Sequence, residues 1–301
     1  MAPTPPLPAH TLPWWRRLER RWVLSVAKRL AADADGRAIV RRVPGLRDAS
    51  RRFLARVARA QVTVCGAPFR LDVLRRSVSR SVFLGGRWHA DVVRMLREHV
   101  GPGMTAADVG ANIGYMAAHM GEVAGPEGTV LALEPEPRNF SILAENARRM
   151  RWRNVVPIQA AVGDVSGTAT LFLSPRDGGD HRIVAAGDGR HGVPVPLVTL
   201  DALAAQRRTE IHFVKMDIQG AEAAAIRGGR DVLRRPAMRG LVLEFWPDAL
   251  REAGEDPFAV LAAIRDAGLR CANDRRVDDD PHAFLAAMSG RASKDLLFLR
   301  P

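Results

Sequence analysis

Lys215 and Asp217 stand two residues apart in the run IHFVKMDIQGAE, which Glu222 closes. The run opens on apolar residues, so both charges fall in a stretch patterned as a buried strand. Burying either one is costly unless it finds a partner. Side chains alternate along a strand, so Phe213, Lys215 and Asp217 share one face and Val214 and Met216 the other. Asp217 comes last on that strand, Gly220 permits a sharp turn, and Glu244 ends the neighbouring run RGLVLEFW. Such a group suits the holding or removal of a proton. Asp217 would be the base or a positioning acceptor, with Lys215 and Glu244 setting its charge. The plainer alternatives are a buried Lys215–Glu244 or Lys215–Asp217 ion pair that orders a cleft, and Glu222 as a first-turn helix acid.

A second group lies upstream. DVGANIG, residues 108–114, joins the run TAADVG to a helical pattern. Gly110 and Gly114 allow a tight turn and close approach of backbone to a ligand, with Ala111 and Asn112 between them. The loop falls at the carboxyl end of a strand, where doubly wound sheets bind ligands. Its spacing is not the G-x-G-x-x-G of a dinucleotide site, and Asp108 would repel a pyrophosphate. An acid among glycines suits a ligand that carries ammonium and sulfonium groups, as S-adenosylmethionine does. In LALEPEP, Glu134 lies 20 residues after Gly114, with Pro135 next to it. A carboxylate there accepts both ribose hydroxyls, while Glu136 suits the start of the following helix. Further on, AAVGDVSG offers Gly163 and Asp164 to an adenine edge, or forms a plain turn.

His181, in GGDHRIV, is a second base candidate, because histidine titrates near neutral pH. It reads equally as a substrate contact or an exposed loop histidine. Asp180 would orient it and Arg182 would bind an acidic substrate, or both would be solvated. His89, His119, His191 and His282 show no partnered spacing and read as structural or surface residues. No His/Cys set has zinc spacing. Asp217, Glu222 and Glu244 would suffice for Mg²⁺, although nothing in the sequence demands it.

These residues need a frame. From residue 104 onward strand and helix patterns alternate, which implies a mainly parallel sheet with helices on both faces. DVGANIG and EP at adjacent strand ends point to a class I methyltransferase fold: an α/β, Rossmann-like, seven-stranded sheet. Expected strands fall near 105–110, 129–134, 155–162, 211–217 and 239–246, with a last one in DLLFLRP. Residues 163–192 read as an irregular, Gly-rich insertion, followed by strand-like VPVPLVTL. HADVVRMLREHV makes a helix with Val92, Val93, Leu96 and Val100 inward, and QVTVCGAPFRLDV a hairpin turning at Gly66-Ala67-Pro68.

The N-terminus is different. Residues 1–13 are Pro-rich, and 14–32 form an amphipathic basic helix with Trp15, Leu18, Trp22 and Val26 on one side. That helix packs on the main domain or a second subunit, giving a homodimer, or lies on an anionic membrane surface. The net charge of +12 comes almost wholly from arginine, since Lys28, Lys215 and Lys294 are the only lysines. It reads as a solvated basic surface. Cys65 and Cys271 form no framework. With no apolar signal segment or membrane span, a cytoplasmic protein, at most peripheral to the inner membrane surface, is the expectation.

DVGANIGY, ALEPEPRNFSILAENA, VGDVSGTATL, VTLDAL, VKMDIQGAEAAAIRGG and LVLEFWP occur in the order typical of FkbM-family methyltransferases. The chain resembles that family over about 77–301, with SVSRSVFLGGRW similar to the family's opening segment. Residues 1–76 would then be a basic helical extension carrying the hairpin. GGDHR, residues 178–182, is similar to the insertion of one subset of the family. The resemblance implies an S-adenosylmethionine-dependent O-methyltransferase acting on a hydroxyl of a polyketide, sugar or related metabolite. An RNA methyltransferase would fit the charge. Against it, the strand ends in DIQG, where base N-methylating enzymes carry an Asn/Asp-Pro-Pro-aromatic tetrapeptide. A binding protein that kept the fold and lost the chemistry is a third reading, opposed by the intact motifs.

Overall fold

The computed structural model describes residues 22, 61–73, 78–174, 178–183, 190–288, 290 and 293–301. Apart from Trp22, which is helical and exposed, the expected N-terminal helix lies outside the described residues.

The chain opens with a hairpin, β1 (Gln61–Val64) and β2 (Ala67–Arg70). Its turn is Cys65-Gly66, one position earlier than the sequence suggests, and Ala67 and Pro68 pair within β2. Both turn residues have positive φ, as a two-residue hairpin turn of matching twist requires. Helices α1 (Val78–Gly85) and α2 (Ala90–His99) follow. Then come β3 (Thr105–Val109), α3 (Tyr115–Ala124), β4 (Thr129–Leu133), α4 (Pro137–Arg149) and β5 (Val155–Ile158). Glu136 caps α4 by accepting the Asn139 N–H at 2.7 Å, and Pro137 occupies the first turn.

The expected strand 155–162 is broken. After β5 the chain leaves the main sheet, and β6 (Ala161–Val162) joins a second sheet with β7 (Gly167–Leu173) and β8 (His191–Val198). The expected irregular insertion therefore contains a strand, β7, and the start of β8. β7 and β8 run antiparallel from Gly167↔Leu197 to Leu173↔His191, and Arg182 pairs with Phe172 by two backbone hydrogen bonds. Pro194 and Pro196 lie two apart, so both missing N–H groups fall on one edge of β8.

The chain then forms α5 (Leu200–Arg207), β9 (Phe213–Met216), α6 (Glu222–Arg227), α7 (Arg230–Arg234), β10 (Gly240–Phe245) and α8 (Pro247–Glu252). It finishes with α9 (Pro257–Asp266), β11 (Arg270–Cys271), α10 (Arg276–Asp279), α11 (Pro281–Met288) and β12 (Lys294–Leu299). The main sheet has seven strands in the order β11-β12-β10-β9-β3-β4-β5. β12 is antiparallel to both neighbours, while β10, β9, β3, β4 and β5 run parallel. The order reverses between β3 and β9, where a doubly wound sheet opens its ligand crevice. This is the class I methyltransferase arrangement.

Strand alternation divides the core. Val109, Leu133, Val214, Met216 and Leu243 pack with α5, α6 and α9 on one face. Ala106, Ala132, Phe213 and Val242 pack with α2, α3, α4 and the hairpin on the other. Val92, Val93, Leu96 and Val100 all enter this second cluster, as expected. The hairpin is also tied to α4, because Asn146 Oδ1 accepts the Arg70 N–H and its Nδ2 donates to the Arg70 carbonyl. Burial pushes the Cys65 thiol up to about 12, which suits a packing role. No helix of the described residues is long and apolar enough to cross a membrane.

Candidate active site

The loops after β3, β4 and β9 open into one cavity of about 440 Å³. Its cofactor-side wall is built from backbone. Gly110 has φ 80°, and a Cβ there would lie 2.0 Å from the carbonyl oxygen of Asp217. The N–H groups of Gly110 and Ala111 both donate to the Leu133 carbonyl, which draws the loop onto the end of β4. Asn112, also left-handed at φ 52°, donates its N–H to Glu134 Oε2 at 2.8 Å. Glu134 Oε1 accepts the Glu136 N–H at 3.0 Å. Burial nonetheless pushes the Glu134 carboxyl up to about 7. Pro135, Ala160, Ala161 and Val162 continue this wall.

Four expected cofactor contacts do not reach the cavity. Asp108 is fully buried behind Lys215, whose Nζ lies 3.5 Å from its Oδ1. Burial raises the Asp108 carboxyl, and the Lys215 ammonium pulls it down less than burial lifts it. Gly114 is also turned inward, because a Cβ there would meet Leu143 at 2.7 Å. Gly163 packs against Gly228, and Asp164 pairs outward with Arg227 at 3.0 Å. The stretch 163–164 is thus the plain turn of the two sequence readings.

The wall at the ends of β9 and β10 is built from side chains. Lys215 Nζ lies 3.5 Å from Asp217 Oδ2 and donates to the Gly110 carbonyl at 3.2 Å. Burial opposes the Lys215 charge, but Asp217 and Asp108 outweigh it and hold the ammonium above its usual range. Gln219 Nε2 donates to Asp217 Oδ1 at 2.8 Å and to Glu244 Oε2 at 2.6 Å. Ser293 donates to Glu244 Oε1 at 2.9 Å. The antiparallel register sets Glu244 directly opposite Asp295, another cavity carboxylate. Like charges in that position repel. Burial first, then the Asp217 charge, pushes Glu244 up to about 9. Asp217 goes the other way: burial raises it, yet Lys215 and its hydrogen bonds bring it below the usual range. The two carboxyls titrate as a coupled pair in which the proton sits preferentially on Glu244.

Glu222 is not part of this wall. Its oxygens accept the Ile218 and Gly220 N–H groups at 3.1 and 2.9 Å, so it shapes the DIQG turn instead of meeting substrate. Burial pushes it up to about 7. Asp217, Glu222 and Glu244, the carboxylates that would suffice for Mg²⁺, are consequently split. No group of three or more His, Cys, Asp or Glu side chains among the described residues converges to hold a metal.

The 178–183 segment closes over the cavity. The Gly178 carbonyl accepts from Asn112 Nδ2 at 2.9 Å and Asn139 Nδ2 at 2.8 Å. His181 and Asp180 line the cavity, as the loop reading required. His181 Nδ1 accepts the Ser174 N–H at 3.0 Å. That leaves the neutral ring's own proton on Nε2, so His181 is a hydrogen-bond donor and a poor base. Asp180 does not orient it, since its carboxylate is bound to Arg182 at 3.0 Å and Arg190 at 2.8 Å. Arg182 also bonds Glu252 at 3.0 Å and lies over the Trp246 ring, and it does not line the cavity. Its expected substrate role is not supported.

Some lining residues escaped the sequence reading. Gln219 was visible only as part of DIQG. Trp88 and His89 stack with ring centroids 4.2 Å apart, and His89 Nδ1 faces Asp295 Oδ2 at 3.6 Å. A histidine just before an apolar helix pattern carries no signal of a partner about 200 residues away.

The cavity has the parts for S-adenosylmethionine. Glu134 keeps lone pairs for two ribose hydroxyls, Ala160–Val162 offer an apolar side, and the missing Cβ at Gly110 leaves the loop flush against β9. Residues 108–271 match the family model described as "Methyltransferase FkbM domain", more than half of the chain. A stretch of 95 residues is 36% identical to the protein-L-isoaspartate O-methyltransferase of Methanothrix thermoacetophila, covering 32% of this chain and 41% of that one. The wheat (Triticum aestivum) enzyme of the same name is 36% identical over 61 residues, covering 20% and 26%. The chain thus spans less than half the length of these curated relatives. Among solved structures, an FkbM methyltransferase from Methylobacillus flagellatus matches at 16% identity and TM-score 0.41, over 73% of this chain and 52% of that one. Fibrillarin from Aeropyrum pernix, with S-adenosyl-L-methionine bound, matches at 16% and 0.39, over 67% and 68%. By the family model and the order of its strands, this chain belongs to the FkbM family of S-adenosylmethionine-dependent methyltransferases.

Proposed function

We propose that the enzyme methylates a hydroxyl group of a small molecule or glycan. When bound, S-adenosylmethionine supplies a methyl already activated by its sulfonium charge, so the protein must position an acceptor oxygen and take its proton. The observation that carries this reading is the Asp217–Gln219–Glu244 group, which lines the same cavity as Glu134. Asp217, kept ionised by Lys215, accepts a hydrogen bond from the acceptor hydroxyl. Its lowered basicity makes it a positioning residue more than a base. Glu244, still protonated, supplies a donor beside it, and His181 supplies another. A polyhydroxylated acceptor meets both needs.

The test uses the full chain and S-adenosylmethionine labelled in its methyl group. It is offered methyl hexosides, macrolide alcohols, an isoaspartyl peptide and total RNA. The expected product is an alkali-stable methyl ether on a hexoside or macrolide. Alkali-labile label on the peptide, the chemistry named for the curated relatives, would overturn the reading, and so would label in RNA.

A further inference from the structure

We infer that His89, oriented by Asp295, is the general base that removes the acceptor's proton. The inference rests on the hydroxyl-transfer reading above. Both residues line the cavity that holds Asp217 and Glu244. His89 precedes α2 and is held in a left-handed conformation at φ 38°, while its carbonyl accepts the Val93 N–H. Trp88 stacks on the ring and fixes its plane. Asp295 comes from β12, whose antiparallel course brings its first residues to the cleft where the parallel strands end. Nδ1 lies 3.6 Å from Asp295 Oδ2, beyond hydrogen-bond reach, but the facing carboxylate favours a proton on that nitrogen and leaves the lone pair for Nε2. His181 has the reverse arrangement, with Nδ1 already accepting the Ser174 N–H. Of the two histidines, only His89 turns Nδ1 toward a carboxylate, the arrangement that suits a base.

As the acceptor oxygen bonds to the methyl carbon and the carbon–sulfur bond breaks, the hydroxyl proton passes to His89 Nε2. Asp295 stabilises the resulting imidazolium, which then loses the proton to water. The charged groups facing this pair are Asp217 just past β9, Lys215 from β9 and Asp91 from α2 itself, with Asp295 the partner from β12. Their balance is anionic, which suits a ring that must become positive.

Two measurements on the full chain, by nitrogen-detected imidazole NMR, test the inference. The first reads the tautomer. Neutral His89 should carry its proton on Nδ1, and Asp295→Asn should weaken that preference. The second uses the charge of the cofactor. S-adenosylmethionine and S-adenosylhomocysteine differ by a methyl and one positive charge at the sulfur. A base close to that sulfur should titrate about one pH unit lower with the first bound than with the second. A histidine held only for packing, away from the transfer point, would not respond. An Nε2–H tautomer, or equal titration in the two complexes, would overturn the inference and leave the hydroxyl-transfer reading standing. Failure of either ligand to bind would overturn both. The native chain alone decides the second measurement, so a poorly folding Asp295 variant does not block it.

Discussion

The two walls of the cavity use carboxylates in opposite ways. On the cofactor side Glu134 spends its oxygens on the N–H groups of Asn112 and Glu136, and beneath the β9 loop Glu222 does the same for Ile218 and Gly220. These carboxylates shape backbone. On the acceptor side Asp217, Glu244 and Asp295 face each other and are linked through Gln219, Ser293, Lys215 and His89. Side-chain links can be exchanged for a substrate's hydroxyls, whereas backbone links cannot be broken without unmaking the loop. Under the proposed function, one wall is scaffold and the other is chemistry.

Substitutions should separate the walls. The largest effect is expected at Gly110→Ala, where φ 80° and a 2.0 Å approach to the Asp217 carbonyl leave no room for a methyl. Calorimetric titration should show cofactor binding lost, and urea denaturation a destabilisation of about 3 kcal/mol. Next, Asp217→Asn should bind the cofactor normally yet turn over about 100-fold more slowly or worse. Equal losses of affinity and turnover would show that Asp217 belongs to the cofactor wall. Glu222→Gln should cost about 1–3 kcal/mol of stability, because one backbone N–H would then face an amide NH₂. Its effect on substrate affinity should be small.

Glu244 gives a pH signature. Its carboxyl rises from 4.5 in the open chain to about 9 in the fold. Between those values the native chain holds a proton that the unfolded chain has lost. Unfolding releases it, so this group's contribution to stability falls as pH rises through that window. Asp217 has the opposite sign, and its contribution is lost only as pH falls below the ordinary aspartate value of 3.8. The stability difference between the native chain and Glu244→Gln should therefore slope with pH between about 5 and 9. A flat difference would mean that Asp217 and Glu244 do not share a proton. The smallest effect is expected at Asp164→Ala, a half-exposed pair with Arg227 worth at most about 1 kcal/mol, with cofactor affinity unchanged.

The sheet was legible because buried parallel strands read as apolar runs between helical patterns, and TAADV and FVKM appear where expected. The scaffold wall was legible too, since Gly110 and Glu134 are close in sequence to the turns they serve. What failed was direction. Asp108 and Gly114 belong to the right motif, but one points behind Lys215 and the other into Leu143. Alternation placed Lys215 and Asp217 on one face, yet could not say that Asp108 would share it from the next strand. The insertion was misread because it hid β7, which pairs antiparallel with the strand expected at VPVPLVTL. His89 and Asp295 were illegible for a further reason. Their meeting depends on β12 running backwards, which no local pattern encodes.

The Gly178 carbonyl, shared by Asn112 and Asn139, ties the outer loop to the cofactor turn and to α4 at one atom. An outward displacement of Gly178 would break both bonds together, so one carbonyl couples the position of the loop bearing His181 to that of the cofactor turn.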